Sequence, residues 1–173
     1  FDCDLSHRCL VGELGGKSVL VQMLTAPFVH PRYRNTKDRL FESYFTTNKP
    51  SFILVEWALD QGAGYVLTGL MVRKSQDMEE DRKENLDIIG IVSEYQSPCI
   101  QDIHHLPVVE KGKKEMILKN FNSCRQLFET YKKDRDMKFF YYDLTNYAQS
   151  RQYFDKLMEY QINYKEWETI IKK

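Results

Sequence analysis

The spacing of apolar and polar positions changes period along the chain. Arg8-Cys9-Leu10-Val11 is a short apolar run with strand character, and a glycine-rich stretch follows it. Ser18 to Ala26 then has the composition of a helix, which Pro27 stops. Ser51 to Leu59 and Gly64 to Arg73 are rich in β-branched and aromatic residues. The segment Asp60-Gln61-Gly62-Ala63-Gly64 between them has the length and residues of a hairpin loop. The charge cluster from Ser75 to Asn85 reads as a solvated excursion, and Leu86 to Tyr95 as another strand. Leu106 to Glu110 and Glu115 to Lys119 flank Lys111-Gly112-Lys113-Lys114 as a second hairpin. Asn122 is the expected cap of a helix from Ser123 to about Lys133, with Leu127, Phe128 and Tyr131 on one face. Lys138 to Tyr142 is a short strand. From Gln149 the pattern turns helical, with Tyr153, Phe154, Leu157, Met158 and Gln161 recurring near i, i+4, i+8. A break near Ile162-Asn163-Tyr164 precedes a last helix from about Lys165.

Strand, loop, helix, a run of mainly antiparallel strands and then helices make an α+β order without regular βαβ alternation. That order argues against a small GTPase or a small-metabolite kinase. With 173 residues, 42% hydrophobic and 29% charged, the chain fits one soluble domain with a sizeable core. The 25 basic and 25 acidic residues cancel, so a nucleic-acid contact has to come from a local patch. Cys3, Cys9, Cys99 and Cys124 form no CxxC pair and have no histidine at a zinc-like spacing. Reduced, buried thiols and a cytoplasmic location are the expectation. No apolar run approaches the ~20 residues of a membrane span, and no leader is visible. The start at Phe1 and the lysine-rich finish suggest a cut from a longer chain.

Candidate chemistry concentrates in Val11-Gly12-Glu13-Leu14-Gly15-Gly16-Lys17-Ser18, between the first strand and the first helix. Such a loop turns its backbone N–H groups and the helix N-terminus toward an anion; Lys adds a point charge and the Ser hydroxyl a Mg²⁺ ligand. Gly12, Gly15, Gly16, Lys17 and Ser18 are therefore the candidate ATP-binding residues, with Ser18 the candidate Mg²⁺ contact. Gly12 and Gly16 enclose three residues where the usual pattern has four. The alternative is a purely structural strand-to-helix turn.

The order of elements, together with GELGGKSVLVQML, RYRNTKDRLFESYFTTNKPSFILVEWALDQGAGYVLTGLMVRK and YAQSRQYFDKLMEYQINYKEW, resembles the N-terminal half of an SMC-like ABC ATPase head. The likeness is to MukB/MksB-type bacterial condensins, including the JetC subunit of Wadjet plasmid-defence systems, and runs from about residue 8 to the end. It implies an α+β, P-loop ABC-type head lobe over residues 1–173, with the phosphate loop at 12–18, a hairpin at 51–73 and helices at 149–173 leading to a coiled coil. It further implies ATP and Mg²⁺ as cofactors and ATP-driven dimerisation with a second head. The implied partners are the C-terminal half of the same head, kleisin-like and accessory subunits, and DNA. The work would be DNA translocation or loop extrusion in plasmid defence or chromosome segregation. No Ser-Gly-Gly run and no Asp-Glu pair after an apolar strand occur, so the expected behaviour is nucleotide binding with little turnover.

Heads of this kind also use a glutamine near Mg²⁺, for which Gln152 and Gln161 are the candidates. Arg32, Arg34 and Arg39, with Lys37, make the loop after the first helix basic; with Arg73 they are candidate phosphate contacts for DNA. Solvated or internally paired charges are the competing reading. His104-His105 has no adjacent nucleophile, and packing between the last helices and the sheet explains Tyr141, Tyr142, Tyr153 and Tyr160 more cheaply than base stacking does. A non-enzymatic protein-interaction domain is the contending function.

Overall fold

The computed structural model describes residues 17–76, 84–97, 108–134 and 138–171. Its main sheet contains β1 (Ser51–Ala58), β2 (Tyr65–Lys74), β3 (Leu86–Tyr95) and β6 (Lys138–Asp143), all antiparallel and in the order β1-β2-β3-β6. A separate two-stranded ribbon pairs β4 (Val109–Lys111) with β5 (Met116–Leu118). The helices are α1 (Lys17–Thr25), α2 (Phe121–Lys133), α3 (Tyr147–Glu159) and α4 (Tyr164–Ile171). No helix among the described residues is long and apolar enough to cross a membrane.

Both faces of the sheet are covered, which is why the middles of its central strands, Leu70-Met71-Val72 and Ile88 to Val92, read as apolar runs rather than alternating ones. Leu67, Met71, Ile89, Ile91 and Phe139 point to one face, where Phe121, Cys124 and Phe128 of α2 pack on them. Val66, Leu70, Ile88 and Val92 point to the other. There they meet Phe28 and Phe41, Tyr153, Phe154 and Leu157 of α3, and partly buried side chains of α1 and α4. Gly90 lies in β3 under Tyr153, where a Cβ would come within 2.7 Å of the ring. Tyr153 is fully buried and its hydroxyl donates to the Pro27 carbonyl at 3.0 Å, so α3 is tied to the segment after α1 through one residue.

The hairpin between β1 and β2 forms as its sequence predicts. Gln61, Gly62 and Gly64 take φ values of 59°, 72° and 108°, and Leu59 N–H closes the loop on the Gly64 carbonyl at 2.8 Å. Elsewhere the boundaries move. The cap of α2 is Asn120, not Asn122, its Oδ1 accepting from the Ser123 N–H at 2.9 Å. Asn146 caps α3 in the same way, so that helix begins ahead of Gln149. Gln161 is no part of the α3 stripe. It sits past the helix end with φ 61°, in the left-handed region. The expected strand at 8–11 lies outside the described residues.

The segment after α1 also departs from the exposed loop expected of it. Short 3₁₀ turns at Ala26–Phe28 and Pro31–Tyr33 carry the chain, and Ala26, Pro27, Phe28 and Val29 are buried. Proline excludes a continuing α-helix but suits the first position of such a turn. Phe28 packs edge-on to Trp57 at 5.2 Å and against Trp167 of α4 at 5.8 Å. A carboxylate oxygen of Glu168 accepts from the His30 N–H at 3.2 Å, anchoring α4 to the same segment.

Candidate functional site

Lys17 and Ser18 are the first described residues of α1, and they follow Gly15-Gly16 in the sequence. Gly12, Gly15 and Gly16 lie outside the described residues, as do His104 and His105. Ser18 is exposed in the first turn of α1, and that turn contains no carboxylate. Among the described residues of α1 none carries a carboxylate that would neutralise the positive end of the helix dipole. A phosphate beside the first-turn N–H groups and a cation held by the Ser18 hydroxyl both suit this donor set.

What holds α1 in place is a buried polar relay. Gln22 is buried on its inward face; its Nε2 donates to the Arg34 carbonyl at 2.7 Å, and its Oε1 accepts from the Tyr44 hydroxyl at 2.9 Å. Met23 and Leu24 pack against the apolar cluster beneath. Thr25 returns its hydroxyl to the Val21 carbonyl at 2.8 Å, as threonine does in a last helical turn.

The arginines expected to form one phosphate-facing surface do not. Arg34 is only 2% exposed, its Nε donating to the Ala26 carbonyl at 3.0 Å. Both terminal guanidinium nitrogens are buried without a hydrogen-bond partner among the described residues. Burial holds the Arg34 guanidinium below its ordinary pKa, while the negative potential of Glu84 and then of Tyr153 opposes that shift. Burial raises the Glu84 carboxyl, and Arg34 pulls it back. Arg34 is thus an internal charge, not a DNA contact. Arg73 is also committed, with Nε 2.7 Å from Asp87 Oδ2 and its guanidinium 4.2 Å from the Phe121 ring on the α2 side of the sheet. Arg32 and Arg39 remain exposed, each lying on a neighbouring tyrosine: Arg32 on Tyr33 at 4.6 Å and Arg39 on Tyr44 at 4.5 Å. Tyr44 is the residue that bonds Gln22, so Arg39 is coupled to the α1 relay.

The two candidate glutamines are not brought together. Gln152 is exposed on α3 and lines a groove of about 410 Å³ beside β6 and α2, to which α1 contributes no residue. Gln161 is exposed at the break between α3 and α4. Among the described residues no group of three His, Cys, Asp or Glu side chains is placed to hold a metal ion. Cys124 is a buried free thiol whose pKa is raised by burial. Missed by the sequence reading were the inward Arg34 and the relay through Gln22 and Tyr44; the aromatic residues flanking Arg34 were the available sign of a covered segment. No family model, no curated protein and no solved structure matches the chain.

Proposed function

We propose that this chain is the ATP-binding N-terminal lobe of an SMC-like ABC-type ATPase head, working within a complex that moves or bridges DNA. The observation that carries the reading is the Gly-Gly-Lys-Ser run of the sequence, whose Lys17 and Ser18 lie in α1. In this role the amides of the first turn and Lys17 bind phosphate oxygens, and the Ser18 hydroxyl orients Mg²⁺. The nucleotide supplies the phosphate charge that a second head recognises, so ATP acts by joining two heads. The Gln22–Tyr44 relay fixes α1 against the sheet, and Arg39 on Tyr44 supplies an exposed cation on the same side of the molecule. Turnover requires the C-terminal half of the head, so the chain binds ATP without sustained hydrolysis. Thermal unfolding with Mg-ATP tests this. Ligand at 100 times its dissociation constant adds about 2.7 kcal/mol and raises the midpoint by several degrees. No shift at millimolar Mg-ATP leaves the glycine turn with a structural role only.

A further inference from the structure

We propose that the free edge of β6, set in the groove between α2 and α3, binds an extended acidic peptide segment of a partner protein as a fifth, antiparallel strand. The inference stands apart from the nucleotide reading; the one residue common to both is Gln152, which lines a groove to which α1 contributes nothing.

The register decides which atoms are available. Leu144 N–H donates to the Ile88 carbonyl at 2.9 Å, so residues 144, 142 and 140 turn their backbone groups toward β3. Residues 143, 141 and 139 turn theirs outward. Asp143 N–H is already taken, donating to Gln149 Oε1 at 3.0 Å. The outward N–H and C=O of Tyr141 and Phe139 have no partner among the described residues. Lys-Phe-Phe-Tyr-Tyr-Asp contains no proline or glycine, its lysine is used in the 2.6 Å pair with Glu94, and no described residue pairs with the outward groups of Tyr141 and Phe139.

The sheet also does not end in open solvent there. Helix α2 packs on one face of β6 and α3 on the other, so the groove along the edge has two helical walls. An added strand would be covered on both faces as β2 and β3 are. β-strand addition of this type draws affinity from main-chain hydrogen bonds and specificity from alternate side chains.

Charge identifies the occupant. Arg125 and Lys132 of α2 line the groove, and neither forms an ion pair among the described residues. Lys132 lies 5.3 Å from the Tyr141 ring centre. Of the nearby carboxylates, Glu129 accepts from the Tyr141 hydroxyl, lies 3.8 Å from Lys133 and also feels the charges of Lys132 and Arg125, so one carboxylate faces three cations; Asp143 Oδ1 accepts from Thr145 N–H and Oγ1 at 3.0 and 2.6 Å. Acidic side chains on the α2 side of an incoming strand would meet the two cations. On the α3 side, Gln149 and Gln152 suit uncharged polar residues. A second copy of the chain is the wrong occupant. Two-fold pairing of β6 with itself sets both copies' Arg125 and Lys132 side by side, and like charges oppose it. The other outer strand, β1, adjoins an apolar surface of Val19, Met23 and Leu24, and nothing there specifies what would cover it.

The test uses a capped octapeptide of alternating Thr and Glu, titrated into the 173-residue chain and followed by amide NMR. Binding is expected, with slowed hydrogen exchange at Tyr141 and Phe139. The peptide residue opposite Tyr141 shares its side-chain face and turns its amide toward β6. N-methylation at the Glu positions should therefore abolish binding, whereas N-methylation at the Thr positions should spare it. Arg125→Glu with Lys132→Glu should weaken binding about tenfold or more, as should replacing Glu by Lys in the peptide; circular dichroism checks that the double variant is folded. Absence of binding at millimolar peptide, equal sensitivity to both methylation patterns, or peptide-induced shifts confined to surfaces away from β6 would overturn the proposal. Concentration-dependent self-association through β6 would assign the edge to a second copy instead and overturn it equally.

Discussion

Gly90→Ala probes the joint between β3 and α3. The new Cβ would lie 2.7, 2.8 and 3.1 Å from three atoms of the Tyr153 ring. Reaching an ordinary carbon contact near 3.5 Å requires the ring to retreat by about 0.8 Å. The ring has nowhere to go: Tyr153 is 0% exposed, its centroid is 5.4 Å from that of Phe154, and its hydroxyl is 3.0 Å from the Pro27 carbonyl. A retreat of that size breaks the hydrogen bond and leaves a buried polar group unpaired, costing about 1–3 kcal/mol. Overpacking adds about 1–3 kcal/mol. The expected loss is about 2–6 kcal/mol, read from the urea midpoint by circular dichroism at constant m-value. In a Tyr153→Phe background the hydrogen bond is already gone, so Gly90→Ala should cost about 1 kcal/mol less than in the native chain. A Gly90→Ala variant within about 0.5 kcal/mol of the parent would refute this packing of α3 on the sheet.

Glu84→Gln should cost about 1 kcal/mol more in the native chain than in an Arg34→Met background, because only the native chain keeps the buried charge that Glu84 faces; equal changes of the urea midpoint in the two backgrounds would contradict the coupling. Burial pushes the Tyr142 phenol up to about 12, and raises Tyr153 and Tyr160 as well. A folded value above the unfolded one of about 10 means that stability is full below pH 10 and is lost as pH rises toward 12. Tyrosinate absorbance and ellipticity should therefore change together in that window, and full ionisation near pH 10 with the fold intact would be the contrary result. If Arg32 and Arg39 meet DNA phosphates, changing either to Ala should lower the salt slope of DNA binding by about one, while Arg73→Ala should leave the slope unchanged.

The strands were legible because a central strand covered on both faces carries apolar residues in succession; Ile88 to Val92, in β3, is the plainest case. The β1–β2 hairpin was equally readable, since Gly62 and Gly64 provide the positive φ its loop demands. Helix starts were less so. Asn120 and Asn122 are equally good caps by composition, and only the hydrogen bond to Ser123 separates them. The segment after α1 was misread because its charges outnumber its apolar residues. Burial followed Phe28 and Phe41, which form core, and Arg34 was drawn in with them. Its Nε bond to Ala26 is a long-range fact that local composition does not encode. The order of strands in space was likewise beyond the sequence pattern: β6 joins β3 across an intervening ribbon and helix, which made the groove beside Gln152 invisible until the fold was in hand.

Calorimetric titration of Mg-ATP into the 173-residue chain and into its Lys17→Ala variant tests the nucleotide reading most directly. An ammonium-to-phosphate hydrogen bond contributes about 1.5–3 kcal/mol, so the account predicts saturable binding by the native chain and at least about tenfold weaker binding by the variant. Equal affinities, or no binding heat from either chain while both remain folded, would contradict it.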